Sequence, residues 1–318
     1  MILSNAMQDS IADKLAQLEQ KFAAQGQDIA AYLDGLLQAD YLTYWDYIHL
    51  ETLLSLQNPK TAFPDELIFV TYHQITELYF KLILHEIAQI ADAQPLTAAF
   101  FTARMQRVNQ YFGLLEQSFG VVISGMERDQ FLKFRMALMP SSGFQSVQFR
   151  EIEIVSTHFQ NLLADVPNEP DTIADRYESI YWKQGATEIS TGQKSLTLRQ
   201  FDQKYAVRLI RLAEDYQTRN LHERFCELEQ ANEVTPELAD VLREYDHRVN
   251  VRWKLAHLRS AVQHLHRGAS ATQPESAKAT GGTNWQTYLP PVRQQRVFFP
   301  ALWSAEELQN WGQSGRQA

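Results

Sequence analysis

One cysteine, Cys226, in 318 residues excludes an intrachain disulfide, a four-cysteine zinc or iron–sulfur site and covalent C-x-x-C-H haem attachment. Basic charge is also scarce. With 29 Lys+Arg against 38 Asp+Glu, the formal charge of −9 argues against nucleic acid or an anionic membrane as the main partner. No apolar run approaches the roughly 18 residues of a membrane span, and no leader of basic, apolar and small-residue segments opens the chain. The expectation is a soluble, cytoplasmic protein whose partners are small molecules and proteins. Strand-like alternation is missing too, which leaves little room for a sheet.

What remains is helical spacing. Apolar residues recur at three and four positions along most of the chain, so the fold class read here is all-α, as an N-terminal helical arm over 1–40 and a single domain over 41–318. Helices are expected at about 8–37, 44–57, 65–92, 97–118, 127–139, 146–165, 170–182, 196–217, 220–231, 235–267 and 304–311. Pro64-Asp65-Glu66 and Thr235-Pro236-Glu237 are start signals, and Ser304 with Glu307 forms a capping box. Residues 268–284 form a Gly/Ser/Thr/Ala-rich loop containing Thr280-Gly281-Gly282, whose amides suit an anion as readily as solvent.

Three polar groups in apolar surroundings ask for partners. In FVTYHQITELYFK (69–81), Phe69, His73 and Glu77 lie four apart on one helix face. The ordinary reading of such a histidine is a core side chain satisfied by a carbonyl or carboxylate. A zinc-protease pair is excluded, because no second histidine follows four residues on. In VRWKLAHLRSAVQHL, His257 has Trp253 one turn before it and the small residues Ala256, Ser260 and Ala261 beside it, where a flat group can approach. Two histidines on separate helices can bracket a macrocycle, but spacing alone does not establish it. His264 and His266 are expected to face solvent at the helix end. Arg135, among Phe131, Phe134, Leu138 and Met139, either snorkels outward, pairs with an acid or meets a buried anion.

Taken together, LTYWDYIHLETLLSLQNP (42–59), DELIFVTYHQITELYFKLILHE (65–86), FLKFRMALMPSSGFQSVQFREIE (131–153), W-K-x-x-H (253–257) and TGG (280–282) resemble the tryptophan 2,3-dioxygenase family of haem enzymes, in the same order over roughly residues 40 to 310. The resemblance implies a non-covalent haem b with His257 as axial iron ligand and Ser142 and Trp253 at the cofactor. It implies His73 as the distal, catalytic group accepting a hydrogen bond from the indole N–H. Phe69, Phe131 and Leu138 would wall the substrate, Arg135 would hold its carboxylate, and Thr280 would contact the amino acid backbone. Tyr44 and Tyr47 match a tyrosine pair contributed by a neighbouring subunit, so a homotetramer is implied. The implied activity inserts O2 across the C2–C3 bond of L-tryptophan or a close indole analogue. A related oxygenase of another aromatic amino acid and a non-catalytic haem-binding protein are the alternatives. The chain departs from the family pattern at GASATQPESAK (268–278), at Ala279 and Thr283-Asn284-Trp285 around TGG, at Glu77-Leu78-Tyr79, and at His264-Leu265-His266-Arg267-Gly268.

Overall fold

The expected helices form, but local chemistry divides several of them. The computed structural model of the protein describes residues 5–139, 141, 143–164, 172–187, 193–265, 290–294 and 296–313. Ser142, His266, Thr280 and the 268–284 loop lie outside these. Among the described residues there is no strand, only the isolated bridges Leu163 to Ile180 and Thr187 to Lys194. No helix among the described residues is long and apolar enough to cross a membrane.

The chain separates into Met1–Gln57 and Asn58–Ala318, so the boundary expected at residue 40 falls within the first unit. In the first unit the expected helix over 8–37 is two, α1 (Asn5–Ala23) and α2 (Ile29–Leu37). Gly26, at φ 67, takes a left-handed conformation that a helix interior does not admit, and the Asp28 side chain then caps α2 through the Ala30 amide. Phe22 and Tyr32 pack edge to face across the turn, 4.7 Å apart. Two short helices follow, α3 (Tyr44–Tyr47) and α4 (Leu50–Leu54), with His49 between them at φ 52.

The second unit is built on α5 (Asp65–Asp92), which starts behind Pro64 as its sequence indicates, and α6 (Ala98–Ser118). Phe80, Ile83, Ile87 and Ile90 of α5 recur at helical spacing and are buried with Phe101, Met105, Val108 and Phe112 of α6. Helix α9 (Val147–Ser156) packs on α5 and, beyond the short α10 (Ile173–Glu178) and α11 (Tyr181–Gln184) in sequence, on α12 (Leu196–Asp215), while α14 (Pro236–His247), which follows α13 (Leu221–Gln230), packs on α6. Two short helices lie between α6 and α9: α7 (Gly120–Ile123) and α8 (Arg128–Phe134). Asp65 joins α8 to the start of α5. Its carboxylate accepts from the Glu127 amide at 2.6 Å, and its own amide donates to Gln130 Oε1 at 3.2 Å.

The helix expected over 235–267 contains a π segment at Arg248–Arg252 before it continues as α15 (Trp253–Leu265). The extra residue in that turn rotates everything after it, His257 included. Ion pairs hold the segment: Arg248 to Glu116 at 3.0 Å and to Glu244 at 2.8 Å, and Arg252 to Glu244 at 2.8 Å. Gly113 makes room for this, since a Cβ there would lie 3.1 Å from Arg248 Nη1.

Asp246, fully buried on the last turn of α14, draws the C-terminal segment onto this helix. It accepts from the amides of Phe298 and Phe299, from Trp303 Nε1 at 3.1 Å and from Asn250 Nδ2 at 2.9 Å. Burial pushes its carboxyl up to about 6 against the pull of those donors, so it is ionised at neutral pH. Asp246→Asn turns an amide N–H toward donors that need an acceptor. It should cost about 2–3 kcal/mol of stability, read as a lower denaturant midpoint in chemical unfolding.

Candidate functional site

His73 on α5 and His257 on α15 lie within electrostatic reach of each other. Both rings keep accessible surface, yet protein surrounds each closely enough that desolvation holds its pKa below the ordinary histidine value, down to about 4 for His257. A side chain that is walled in and still accessible lines a hollow inside the fold. The two rings are near enough that charge on His73 further disfavours protonation of His257. Both are neutral at pH 7, and a neutral imidazole has one nitrogen lone pair to offer.

Which nitrogen carries the proton is decided for His73. Its Nδ1 lies 2.7 Å from the Phe69 carbonyl one turn earlier, and a carbonyl only accepts, so Nδ1 holds the hydrogen and Nε2 is left as an acceptor. The neighbouring Glu77 does not compete for the ring. Gln148 of α9 occupies it, donating to its backbone carbonyl at 2.9 Å and to Oε2 at 2.8 Å.

Aromatic rings wall the His73 side. Phe69 lies 4.2 Å from the His73 ring, 6.0 Å from Phe131 and 5.7 Å from Phe134. Arg135 follows Phe134 where α8 tightens into a 3-10 turn, Arg135–Leu138, and the helix expected through 139 stops there. The tightening leaves Arg135 buried, at 6% exposure, and desolvation lowers its pKa without removing its charge. Leu138 ends the same turn, half-buried against the core.

Three features set the His257 side. Phe119 stacks on the imidazole, 6.2 Å between centroids at 25°. Trp253 packs one turn earlier against Phe119, Phe80 and Phe112, so it supports the helix from within the core. Gly143 approaches the ring edge, and a Cβ there would sit 3.8 Å from Cε1 and 4.0 Å from Nε2. No hydrogen bond reaches either ring nitrogen of His257 among the described residues, so its lone pair is open to a ligand.

Behind His257 a buried polar cluster locks the register of α15. Lys254, pushed by burial down to about 8, donates to Tyr181 Oη at 3.4 Å and Asn250 Oδ1 at 3.3 Å. Tyr181 donates in turn to Glu153, which pairs with Arg150 at 2.7 Å. A separate cavity of about 260 Å³, lined in part by His158, Arg176 and Tyr216, shares no residue with the His73 and His257 site.

One expectation is overturned. His264 is not solvent-facing: it is 2% exposed and bonded through Nε2 to the Val122 carbonyl, because α7 and α8 both pack against α15. Phe119, Gly143 and the Lys254 cluster carried no signal of their own in the sequence. His264, two turns after His257, did share its helical stripe. Ser142 and Thr280 lie outside the described residues, and Tyr44 and Tyr47 belong to the first unit, 70% and 73% exposed.

Comparison with known proteins bears on this arrangement. The family model for tryptophan 2,3-dioxygenase matches residues 35–161. A tryptophan 2,3-dioxygenase of Caulobacter vibrioides is 30% identical over 282 residues, covering 84% of this chain and 98% of that protein. The chain belongs to the tryptophan 2,3-dioxygenase family. Higher identity is concentrated in part of it: the relative from Ruegeria sp. is 42% identical over 119 residues, 37% of this chain and 42% of that protein. The relative from Nocardioides sp. is 40% identical over 126 residues, 37% and 47%. The chain thus spans less than half the length of those two relatives in the aligned stretch.

The side chain missing at Gly143 keeps the approach to His257 Nε2 clear. A Cβ at this position would make only ordinary contacts with the ring, so Gly143→Ala is accommodated. Thermal unfolding of Gly143→Ala should therefore return a Tm close to that of the wild type.

Proposed function

We propose that the chain is a haem-dependent dioxygenase of L-tryptophan or a close indole analogue, with N-formylkynurenine-type product. The observation that carries the reading is the pair of neutral histidines within electrostatic reach of each other, one with an open lone pair and the other with Nε2 fixed as an acceptor. The residues present fit haem b. His257 offers a neutral nitrogen for the iron, Gly143 adds no side chain on that side, and Phe119 fixes the ring plane.

Haem bound at His257 supplies the chemistry that activates O2 toward the indole C2–C3 bond, which is cleaved as both oxygen atoms are added. The protein's part is orientation and dryness. His73 Nε2 accepts the indole N–H, and this aligns the ring. Phe69 and Phe131 confine the ring system and exclude water. Arg135, a buried cation, holds the carboxylate at the far end of the substrate. Thr280 and Ser142 join the site in this reading, as amino acid and cofactor contacts respectively.

Tyr44 and Tyr47, exposed at 70% and 73%, fit a role against a second copy of the chain, and the reading extends to a homotetramer. Light scattering that returns a monomer mass would remove that part.

The deciding experiment incubates the reconstituted ferrous protein with O2 and L-tryptophan and weighs the product. Gain of two oxygen atoms with growth of the N-formylkynurenine absorption supports the reading, gain of one favours a hydroxylase, and no product excludes L-tryptophan as substrate. Two substitutions separate the roles. His257→Ala should abolish stable haem binding, whereas Arg135→Leu should keep haem and raise KM by about tenfold or more. Haem retained in the first, or unchanged kinetics in the second, removes that assignment.

A further inference from the structure

His264 touches two things at once. Its Nε2 donates to the Val122 carbonyl at 2.7 Å, and its ring lies 5.1 Å from the ring of Phe131, tilted by 46°. Because the carbonyl only accepts, Nε2 carries the hydrogen, and Nδ1 is left as a buried lone pair with no hydrogen-bond donor. Leaving a buried polar atom unpaired is unfavourable, so a residue kept here for packing alone would be apolar.

The Val122 carbonyl explains the histidine. Helix α7 is four residues long, and its last carbonyls have no partner within the helix. Gly125 then turns the chain tightly toward α8, where a Cβ would meet the Val121 carbonyl at 2.3 Å. His264 thus ties α15 to α7 by a hydrogen bond and to α8 by a ring contact. From Phe131 the contacts run on through Phe69, at 6.0 Å, to His73, at 4.2 Å from Phe69.

We propose that His264 is a positioning residue that fixes Phe131, and with it the width of the space before His73, to the helix carrying His257. The inference rests on the reading of that space as the substrate pocket. His264 touches neither reacting group in this account. It sets how well the indole is confined, which is an effect on substrate fit more than on the chemical step.

Three variants of the haem-loaded full chain separate the two contacts. His264→Phe keeps the ring and loses the donor, His264→Gln keeps a donor at the Nε2 position and loses the ring, and His264→Leu loses both. His264→Leu should raise KM for L-tryptophan roughly fivefold or more, with kcat within about twofold and the haem Soret band unmoved. His264→Gln and His264→Phe should each recover part of that loss. Wild-type KM in all three overturns the proposal, as does a Soret shift that tracks the loss, which would place the effect at His257. Hydrogen exchange scores the brace apart from turnover: amides of 131–135 should exchange faster in His264→Leu, and unchanged exchange overturns it. A wild-type protein that makes no product overturns the functional reading while leaving the exchange result to decide the brace.

Discussion

A helical core that surrounds a hollow has to hold its walls apart without filling the space between them. Apolar packing alone works toward closure, since burying the wall surfaces against one another is favourable. In this chain polar ties set the spacing. Asp65 fixes α8 to α5 at one end, Gln148 fixes α9 to the α5 turn at Glu77, and the Lys254, Tyr181 and Glu153 contacts fix α15 from behind. Hydrogen bonds have preferred lengths and directions, so they define a separation that hydrophobic contact does not.

The same enclosure tunes the two histidines. Desolvation disfavours the imidazolium form of each, and like charge across the hollow adds to that at His257. Neutrality is what a metal ligand and a hydrogen-bond acceptor both require. The backbone carbonyl of Phe69 then distinguishes them by taking the one N–H of His73, while His257 keeps an unengaged ring. A single physical cause, withdrawal from water, thereby serves two different tasks, and a local hydrogen bond assigns them.

Asp246 connects this arrangement to the end of the chain. Its carboxylate gathers the amides of Phe298 and Phe299 and the Trp303 indole beside the π segment from which α15 departs. Phe298 and Phe299 are fully buried there. The C-terminal residues therefore close the core around the helix that carries His257, although they stand far from it in sequence.

Helix content, the start of α5 at Pro64 and the Ser304 capping box were legible in the sequence because they depend on residues within a few positions of one another. His73, His257 and Arg135 were conspicuous for a related reason, as polar groups within apolar periodicity. Helix breaks were less legible. Gly26 marks one plainly, but the 3-10 turn at Arg135 and the π turn at Arg248 follow from how neighbouring helices pack and pair. The burial of His264 showed in sequence only as its place on the His257 stripe, since the Val122 carbonyl and Phe131 that hold it lie more than a hundred residues earlier. Sequence by itself determined that the chain is helical and which polar side chains stand out within its apolar periodicity, because those are questions of local spacing. Only the tertiary structure decided that His73 and His257 come within electrostatic reach of each other, that Nδ1 rather than Nε2 of His73 holds the proton, and that the backbone at Gly143 comes up to the His257 ring. Those facts depend on distances between segments whose separation along the chain sets no limit on their approach.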